Sequence, residues 1–259
     1  MTTQPHRAAL ITGSSRGIGK GIALALASVG YAVGINAPTA DDEVTATVSE
    51  LNALGAKAVA IPGDVADISA HAALLDRAEA ILGPLTTLVN NAGVGVLSRG
   101  DLLDVTPESY DRCLAINTRA PFFLTQAWAK RVLQRERPAN VHHCVITISS
   151  ANAEAVAVAR GEYCVSKAGA AMVAKVFAVR LGGEEIGSYD IRPGLIETPM
   201  TAIVQDHYRK RIKEGLTVIQ RMGQPKDIGD MTIALATGQL AFCTGQVLSA
   251  DGGLVIPRF

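Results

Sequence analysis

The chain has 259 residues, of which 48% are hydrophobic and 19% charged. That apolar fraction supports a packed core and excludes wholesale disorder. With 24 Lys and Arg against 24 Asp and Glu the formal charge is zero, which argues against a general nucleic-acid surface, since phosphates are met by an excess of cations.

In chain order, residues 8–11 read as a short buried strand, followed by helical periodicity over 18–29 and a helix-ending Gly30. Residues 31–35 form the next strand, and 43–54 a helix closed by Gly55. A strand over 57–61, a helix over 68–82 closed by Gly83 and a strand over 87–90 come next. A long helix is predicted from about residue 107 to 135, with Pro107 suited to its first turn. Residues 141–148 are rich in β-branched side chains and predict a strand. A helix over 161–181, a strand near 188–192 and a last strand over 246–249 complete the pattern. Strands alternating with helices imply parallel crossovers, hence an α/β, doubly wound sheet of about seven parallel strands with helices on both faces. We expect a single domain over residues 1–259. Ligands of such folds sit beyond the carboxyl ends of the strands.

Residues 22–35 are the longest weakly polar stretch, and Ser28 and Gly30 break it, so no membrane span is expected. Met1 to Arg7 carry no apolar export core. Cys113, Cys144, Cys164 and Cys243 lack CxxC spacing, and no Cys/His set has zinc-ligand spacing. The adjacent His142 and His143 would point to opposite faces of a strand. Reduced thiols, a cytoplasmic chain and no metal are therefore expected.

The first strand runs directly into Thr12-Gly13-Ser14-Ser15-Arg16-Gly17-Ile18-Gly19. Glycines permit a tight turn and close approach of backbone to a pyrophosphate, and the following helix aims its free N–H groups at the anion. Glycine turns also serve plain β-α connections, but position after a first strand and before a helix is the context that dinucleotide binding requires. Tyr163-Cys164-Val165-Ser166-Lys167 sets a phenol and an ammonium four apart on one helical face. Alone, such a pair also fits a surface Tyr beside a solvated Lys. Ser150 adds to it, at a strand end thirteen residues before Tyr163, and Asn117 lies within the long helix. Ser149 competes with Ser150, its side chain facing the other side of the strand.

The Thr-Gly-x-x-x-Gly-x-Gly spacing resembles the short-chain dehydrogenase/reductase family in its single-domain branch, and differs from the GxGxxG of medium-chain dehydrogenases and the TGxxGxxG of the longer epimerase branch. Asn117, Ser150, Tyr163 and Lys167 resemble that family's catalytic tetrad. The resemblance implies that Tyr163 exchanges a proton with a carbonyl or alcohol oxygen and that Ser150 hydrogen-bonds the same oxygen. It implies that Lys167 holds the nicotinamide ribose and favours the phenolate, and that Asn117 supports a proton-returning water chain. For the cofactor it implies Gly13, Ser15, Arg16, Gly17, Ile18 and Gly19 in the loop and Asn36 after the second strand. Asp64 and Val65 follow the third strand, and Asn91, Ala92 and Gly93 the fourth. Tyr163, Lys167, Pro193, Gly194, Ile196 and Thr198 lie along the nicotinamide half. Thr244-Gly245-Gln246 and Asp251-Gly252-Gly253 match the family's C-terminal strand region, so the resemblance spans roughly residues 7–254.

A family NAD enzyme places a carboxylate where this chain has Ala37, and Arg16 can pair with a 2′-phosphate, so NADP(H) is favoured over NAD(H). Pro38 and the nearby Asp41, Asp42 and Glu43 pull the other way. Residues 94–99, 151–160 and 195–222 should surround a small-molecule carbonyl or alcohol, the last forming a lid. Between residues 201 and 222 it carries Arg209, Lys210, Arg211, Lys213 and Arg221 against Asp206 and Glu214, a net of +3. This fits an anionic substrate or a solvated helix face. The overall resemblance is to 3-oxoacyl-(acyl-carrier-protein) reductase-like members, although Glu184 and Glu185 stand where a carrier protein would want cations. A sugar, polyol or small secondary-alcohol dehydrogenase is the alternative, and a non-catalytic dinucleotide-binding regulator a remote one. The resemblance also implies a homotetramer or homodimer built on the long helix and the helix bearing Tyr163. The apolar tail, residues 254–259, fits either a contact with a neighbour or packing on its own chain.

Overall fold

The computed structural model describes residues 6–258. Residues 1–5, most of the stretch read for an export core, and Phe259 of the tail lie outside the described residues. The elements are β1 (Ala8–Ile11), α1 (Gly17–Ser28), β2 (Ala32–Ile35), α2 (Asp42–Ala53), β3 (Ala58–Ala60), α3 (His71–Leu82) and β4 (Thr87–Asn90). They continue with α4 (Pro107–Leu114), α5 (Ala120–Leu133), β5 (His143–Ile148), α6 (Gly161–Leu181), β6 (Ile186–Pro193), α7 (Gln205–Lys213), α8 (Pro225–Ala236) and β7 (Val247–Ala250). Seven strands form one sheet in the order β3-β2-β1-β4-β5-β6-β7, and every pair is parallel.

Alternation along β1 divides the core between the faces of the sheet. Ala9 and Ile11 join Ile22 and Leu26 of α1, Val44 and Leu51 of α2, and Ile228 and Leu235 of α8. Ala8 and Leu10 join Leu74 and Leu75 of α3, Leu124 and Trp128 of α5, and Val173 and Phe177 of α6. Both faces are thus covered, as a parallel sheet requires. The expected glycine stops hold: Gly30, Gly55 and Gly83 follow the first three helices with positive φ.

Four expectations change. The helix expected over 107–135 is interrupted, because Ala115–Arg119 winds as a π-helix between α4 and α5. Such wide turns are seldom structural accidents and cluster at functional sites. The helix expected from residue 68 opens with a 3₁₀ turn, Ile68–Ala70, because the Asp67 side chain accepts from the Ser69 N–H and favours a tight start. Strand β6 begins earlier than residue 188. Gly187 hides that beginning in the sequence, yet a side chain there would strike the Tyr189 ring, 2.5 Å from its Oη. Helix α8 was not anticipated, since it follows the lid rather than a strand and carries an interior glycine. That glycine is what lets it pack: a Cβ on Gly229 would sit 2.8 Å from the Gly21 carbonyl oxygen, and one on Gly21 would sit 2.5 Å from Pro225 Cβ. The α1 and α8 backbones therefore approach more closely than any other side chain would allow.

All four cysteines are free thiols. His143 is buried, with Nδ1 3.0 Å from the Val141 carbonyl oxygen, whereas His142 is half-buried and directs Nε2 toward Tyr189 Oη at 3.2 Å. Among the described residues no group of three or more His, Cys, Asp or Glu is arranged to hold a metal, and no helix is long and apolar enough to cross a membrane.

Candidate active site

The carboxyl ends of β1, β2, β3 and β4 are tied into one groove edge. Thr12 Oγ1 accepts from the Asn91 and Ala92 N–H groups at 3.0 and 2.9 Å, and Asn91 Nδ2 donates to the Thr12 and Gly13 carbonyls at 2.8 and 2.9 Å. Gly13 has φ +60°, and a Cβ there would sit 2.8 Å from Ala92 Cα. A Cβ on Gly19 would overlap the Gly13 carbonyl oxygen and lie 2.5 Å from Asn91 Nδ2. The loop is a backbone cradle that only glycines leave open, and the α1 N-terminus closes it with unpaired amides. On its far side Gly17 faces Thr198, whose side chain a Cβ would reach at 3.5 Å. Ser15 and Ile18 lie half-buried within this loop, and Thr47 Oγ1 donates to the Ser15 carbonyl at 2.7 Å.

Asn36 stands just after β2. It is buried, its Nδ2 donates to the Ile61 and Gly63 carbonyls at 2.9 and 3.0 Å, and its Oδ1 accepts from Gly13 N–H at 3.4 Å. Its side chain staples β2 and β3 to the loop. Ala37 is also buried, and Val65 lies beneath the exposed Asp64, whose Oδ1 accepts from Ala66 N–H. Arg16 is exposed and pairs with Glu43 at 3.2 Å.

Tyr163 and Lys167 share one face of α6, with Lys167 Nζ 5.8 Å from the Tyr163 ring centroid. Buried Lys167 donates to the Ile148 carbonyl at 2.9 Å, at the end of β5. Asn117 sits in the π turn. A Cβ on Gly93 would lie 3.2 Å from Asn117 Oδ1 and 3.3 Å from Lys167 Nζ, so both groups converge on that glycine. Ser150 follows β5, and its Oγ accepts from Asn152 N–H at 3.1 Å. Ser149 is engaged elsewhere: its buried Oγ donates to the Asp190 carboxylate on β6. Pro193 and Ile196 are buried, and Gly194 N–H donates to the Ala250 carbonyl, which anchors the segment that leads to Thr198.

The stripe that Asn117 makes with Ser109 and Cys113 was not read from the sequence. Ser109, Cys113 and Asn117 recur every four residues and hold the loop after β4. Leu97 N–H donates to Ser109 Oγ at 3.2 Å, the Cys113 thiol reaches the Gly95 carbonyl at 3.6 Å, and Asn117 bonds both the N–H and the carbonyl of Val94. Burial, and then the nearby Glu162 carboxylate, push the Cys113 thiol up and keep it a donor. The Ser109 hydroxyl in turn donates a hydrogen bond to Glu162 Oε1 at 2.7 Å, linking this loop to the residue that precedes Tyr163. The i, i+4, i+8 stripe was the available signal.

The segment expected to form the lid contains a 3₁₀ stretch, Pro199–Val204, and α7, and it is pinned at its base by a bridge between Ile196 and Gly223. Its cations are partly neutralised, Arg209 by Glu197 and Asp206 and Arg221 by Asp227. Lys210, Arg211 and Lys213 are exposed, which favours the solvated-face reading. The tail packs on its own chain, Arg258 donating to the Gly215 and Leu216 carbonyls at 2.9 and 3.0 Å.

A family model described as enoyl-(acyl carrier protein) reductase matches residues 13–255. A short-chain dehydrogenase/reductase of Pestalotiopsis microspora, GME11373, is 32% identical, over 95% of this chain and 94% of its own. An L-rhamnose 1-dehydrogenase (NAD(P)(+)) of Sphingomonas sp. is 29% identical, over 95% of both. The crystal structure of a 3-oxoacyl-[acyl-carrier protein] reductase from Brucella melitensis in complex with NAD superposes with a TM-score of 0.95 at 37% identity, covering 99% of this chain and 100% of that one.

Proposed function

Because the chain belongs to the short-chain dehydrogenase/reductase family, we propose that Asn117, Ser150, Tyr163 and Lys167 carry its reaction, with Tyr163 as the proton-transfer group. The chain is an NAD(P)-dependent oxidoreductase acting on CH–OH and C=O groups. The carrying observation is the convergence of Lys167 Nζ and Asn117 Oδ1 at Gly93, with the Tyr163 ring beside the ammonium.

The glycine cradle fits a dinucleotide, because Gly13 and Gly19 let the loop close tightly on Ala92 and Asn91 while the α1 N-terminus presents its amides beside it. Residues 13–19 would hold the phosphates, Asp64 and Val65 with residues 91–93 the adenosine half, and Lys167 with residues 193–198 the nicotinamide half. When bound, the nicotinamide supplies or accepts the hydride. Tyr163 gives its proton to the carbonyl oxygen in reduction and takes one from the alcohol in oxidation. Lys167 is buried and fixed by the Ile148 carbonyl, so its ammonium stays beside the Tyr163 ring. Asn117 is held by Val94 and Ser166, the latter accepting from Nδ2 at 2.9 Å, which sets it to support a water chain toward Lys167. With Ser149 bound to Asp190, Ser150 is the hydroxyl left to orient the substrate oxygen.

Arg16 and the uncharged Ala37 favour NADP(H), with Glu43 moderating the cation. The substrate segments expose Leu97, Val156, Val158, Met200 and Ile203, an apolar mouth suited to a ketone with an apolar portion, as in a 3-oxoacyl thioester, more than to a sugar. We read residues 1–259 as one domain with its lid at 195–222, in a homo-oligomer of the cytoplasm, where free thiols persist.

Substituting Tyr163→Phe tests the assignment. Turnover of a ketone panel should fall by roughly 10²–10⁴-fold, with dinucleotide affinity unchanged. Near-normal activity would exclude Tyr163 as the proton-transfer group. The same assay run with both nucleotides should give the lower KM for NADP(H), and the reverse order would overturn that preference.

A further inference from the structure

Asp190 and Arg192 of β6 have no part in the roles above. Among the described residues, they are the only carboxylate and the only Lys or Arg within the seven strands. They stand two apart, so their side chains share one face of the sheet. Helix α6 covers that face, for Ser188, two residues earlier, donates to the Ala174 carbonyl at 2.7 Å.

The two charges form the middle of a chain. Asp190 is buried, and one carboxylate oxygen accepts from Ser149 Oγ. The other accepts from Arg192 Nε at 2.9 Å. Arg192 reaches further, its Nη1 donating to Glu154 Oε2 at 3.0 Å. The chain of contacts therefore leaves the backbone at residue 149 and returns to it at residue 154. Between those ends lie Ser150, with extended backbone, and the 3₁₀ turn Ala151–Ala153. Both ends of the turn that carries Ser150 are thus tied to one ion pair on the neighbouring strand. Inside the turn, Ser150 Oγ accepts from Asn152 N–H, and Asn152 Nδ2 donates to the Ala155 carbonyl at 2.8 Å.

Stability alone does not account for this pair. Desolvating two charges offsets much of their attraction, and apolar residues of similar volume often hold a core as well or better. What the pair adds is direction. Each carboxylate oxygen has its own donor, and the planar guanidinium spans two acceptors at fixed angles. We propose that Asp190 and Arg192 are positioning residues for Ser150. Acting through Ser149 and Glu154, they hold the Ser150 hydroxyl where it meets the substrate oxygen beside Tyr163. This inference rests on the reading of Ser150 as the hydroxyl that orients the substrate.

A double-mutant cycle on kcat, measured with the ketone panel at saturating dinucleotide, tests it. In Arg192→Lys an ammonium can meet Asp190 but has no fork to span from there to Glu154. Its kcat should fall roughly tenfold, because a small misplacement of a group at the reacting centre is costly. In a Ser150→Ala background the same substitution should lower kcat no further, since the hydroxyl it positions is already gone. A full loss in that background overturns the proposal, because the pair would then support the site at large. Unchanged kcat in Arg192→Lys with Ser150 intact also overturns it. If Arg192→Lys does not fold, Glu154→Ala puts the same question from the exposed end of the chain. It should lower kcat about threefold, the modest effect of an exposed pair, again only when Ser150 is present, and Glu154→Gln should restore part of the loss. No loss in Glu154→Ala, or one that persists without Ser150, is again fatal. Ser150→Ala alone separates the two readings. Full turnover there removes the role of Ser150 and this proposal with it, whereas lost turnover there beside an unaffected Arg192→Lys removes the proposal only.

Discussion

His143 shows what burial does to a single titratable group. Its pKa is pushed down to about 4, chiefly by burial, against an ordinary value of 6.5. The folded state therefore prefers the neutral ring, and between those two values the unfolded chain binds more protons. Stability contributed by the neutral ring is fully present above pH 6.5 and is lost as pH falls toward 4. His143→Gln keeps a polar group near the Val141 carbonyl but cannot titrate. Thermal melts should show a smaller fall in Tm between pH 6.5 and 4.5 for this variant than for wild type, by a few degrees. Parallel falls would mean that other groups govern the acid limb. Legibility also divides at this scale. Tyr163 and Lys167 could be paired from the sequence because one helical turn joins them. The work of Asn36 could not, because its partners Ile61, Gly63 and Gly13 meet it only in the folded sheet. Ser149 and Ser150 become distinct for the same reason: Asp190 lies forty-one residues away on a neighbouring strand.

Among the elements, the strands at the centre of the sheet were the most legible, β1 and β4 to the residue, because both are short apolar runs buried on both faces. Helices α4 and α5 were read as one, since a π turn preserves the apolar pattern on either side of it and only backbone geometry reveals the extra residue. Helix α8 was missed because Gly229, its packing residue, reads as a helix-weakening one. Its contact with α1 makes a quantitative prediction. In Gly21→Ala the new methyl meets Pro225 Cβ, part of a closed ring, at 2.5 Å and the Pro225 carbonyl oxygen at 2.8 Å, neither of which can turn aside. Overpacking of this kind costs roughly 1–3 kcal/mol, so Tm should drop by several degrees even though Ala is the better helix former. An unchanged or raised Tm would mean that α8 shifts freely on α1.

At the scale of the whole molecule, α6 turns an apolar stripe outward. Val165, Met172, Val176 and Val179 are 49%, 55%, 44% and 88% exposed. A stripe of this length on one helix face suits the interface of the homo-oligomer proposed above. Met172→Lys together with Val179→Lys should leave the fold intact and reduce the mass measured by light scattering to that of fewer copies. An unchanged mass would move the interface elsewhere. The strand order has a further consequence. From β1 through β2 to β3, and from β4 outward to β7, every strand lies beside its neighbour in the chain; only β1 against β4 joins strands that are not consecutive. Thr12, Gly13, Asn91 and Ala92 are bonded across that seam, and the groove proposed for the dinucleotide lies along it. During synthesis the two wings can grow separately by local pairing, and the seam closes once β4 docks beside β1. A dinucleotide bound there touches both wings, and by mass action it favours the joined state over one in which they have come apart. The cofactor would thus serve the enzyme twice, as reagent and as the pin that holds its two wings together.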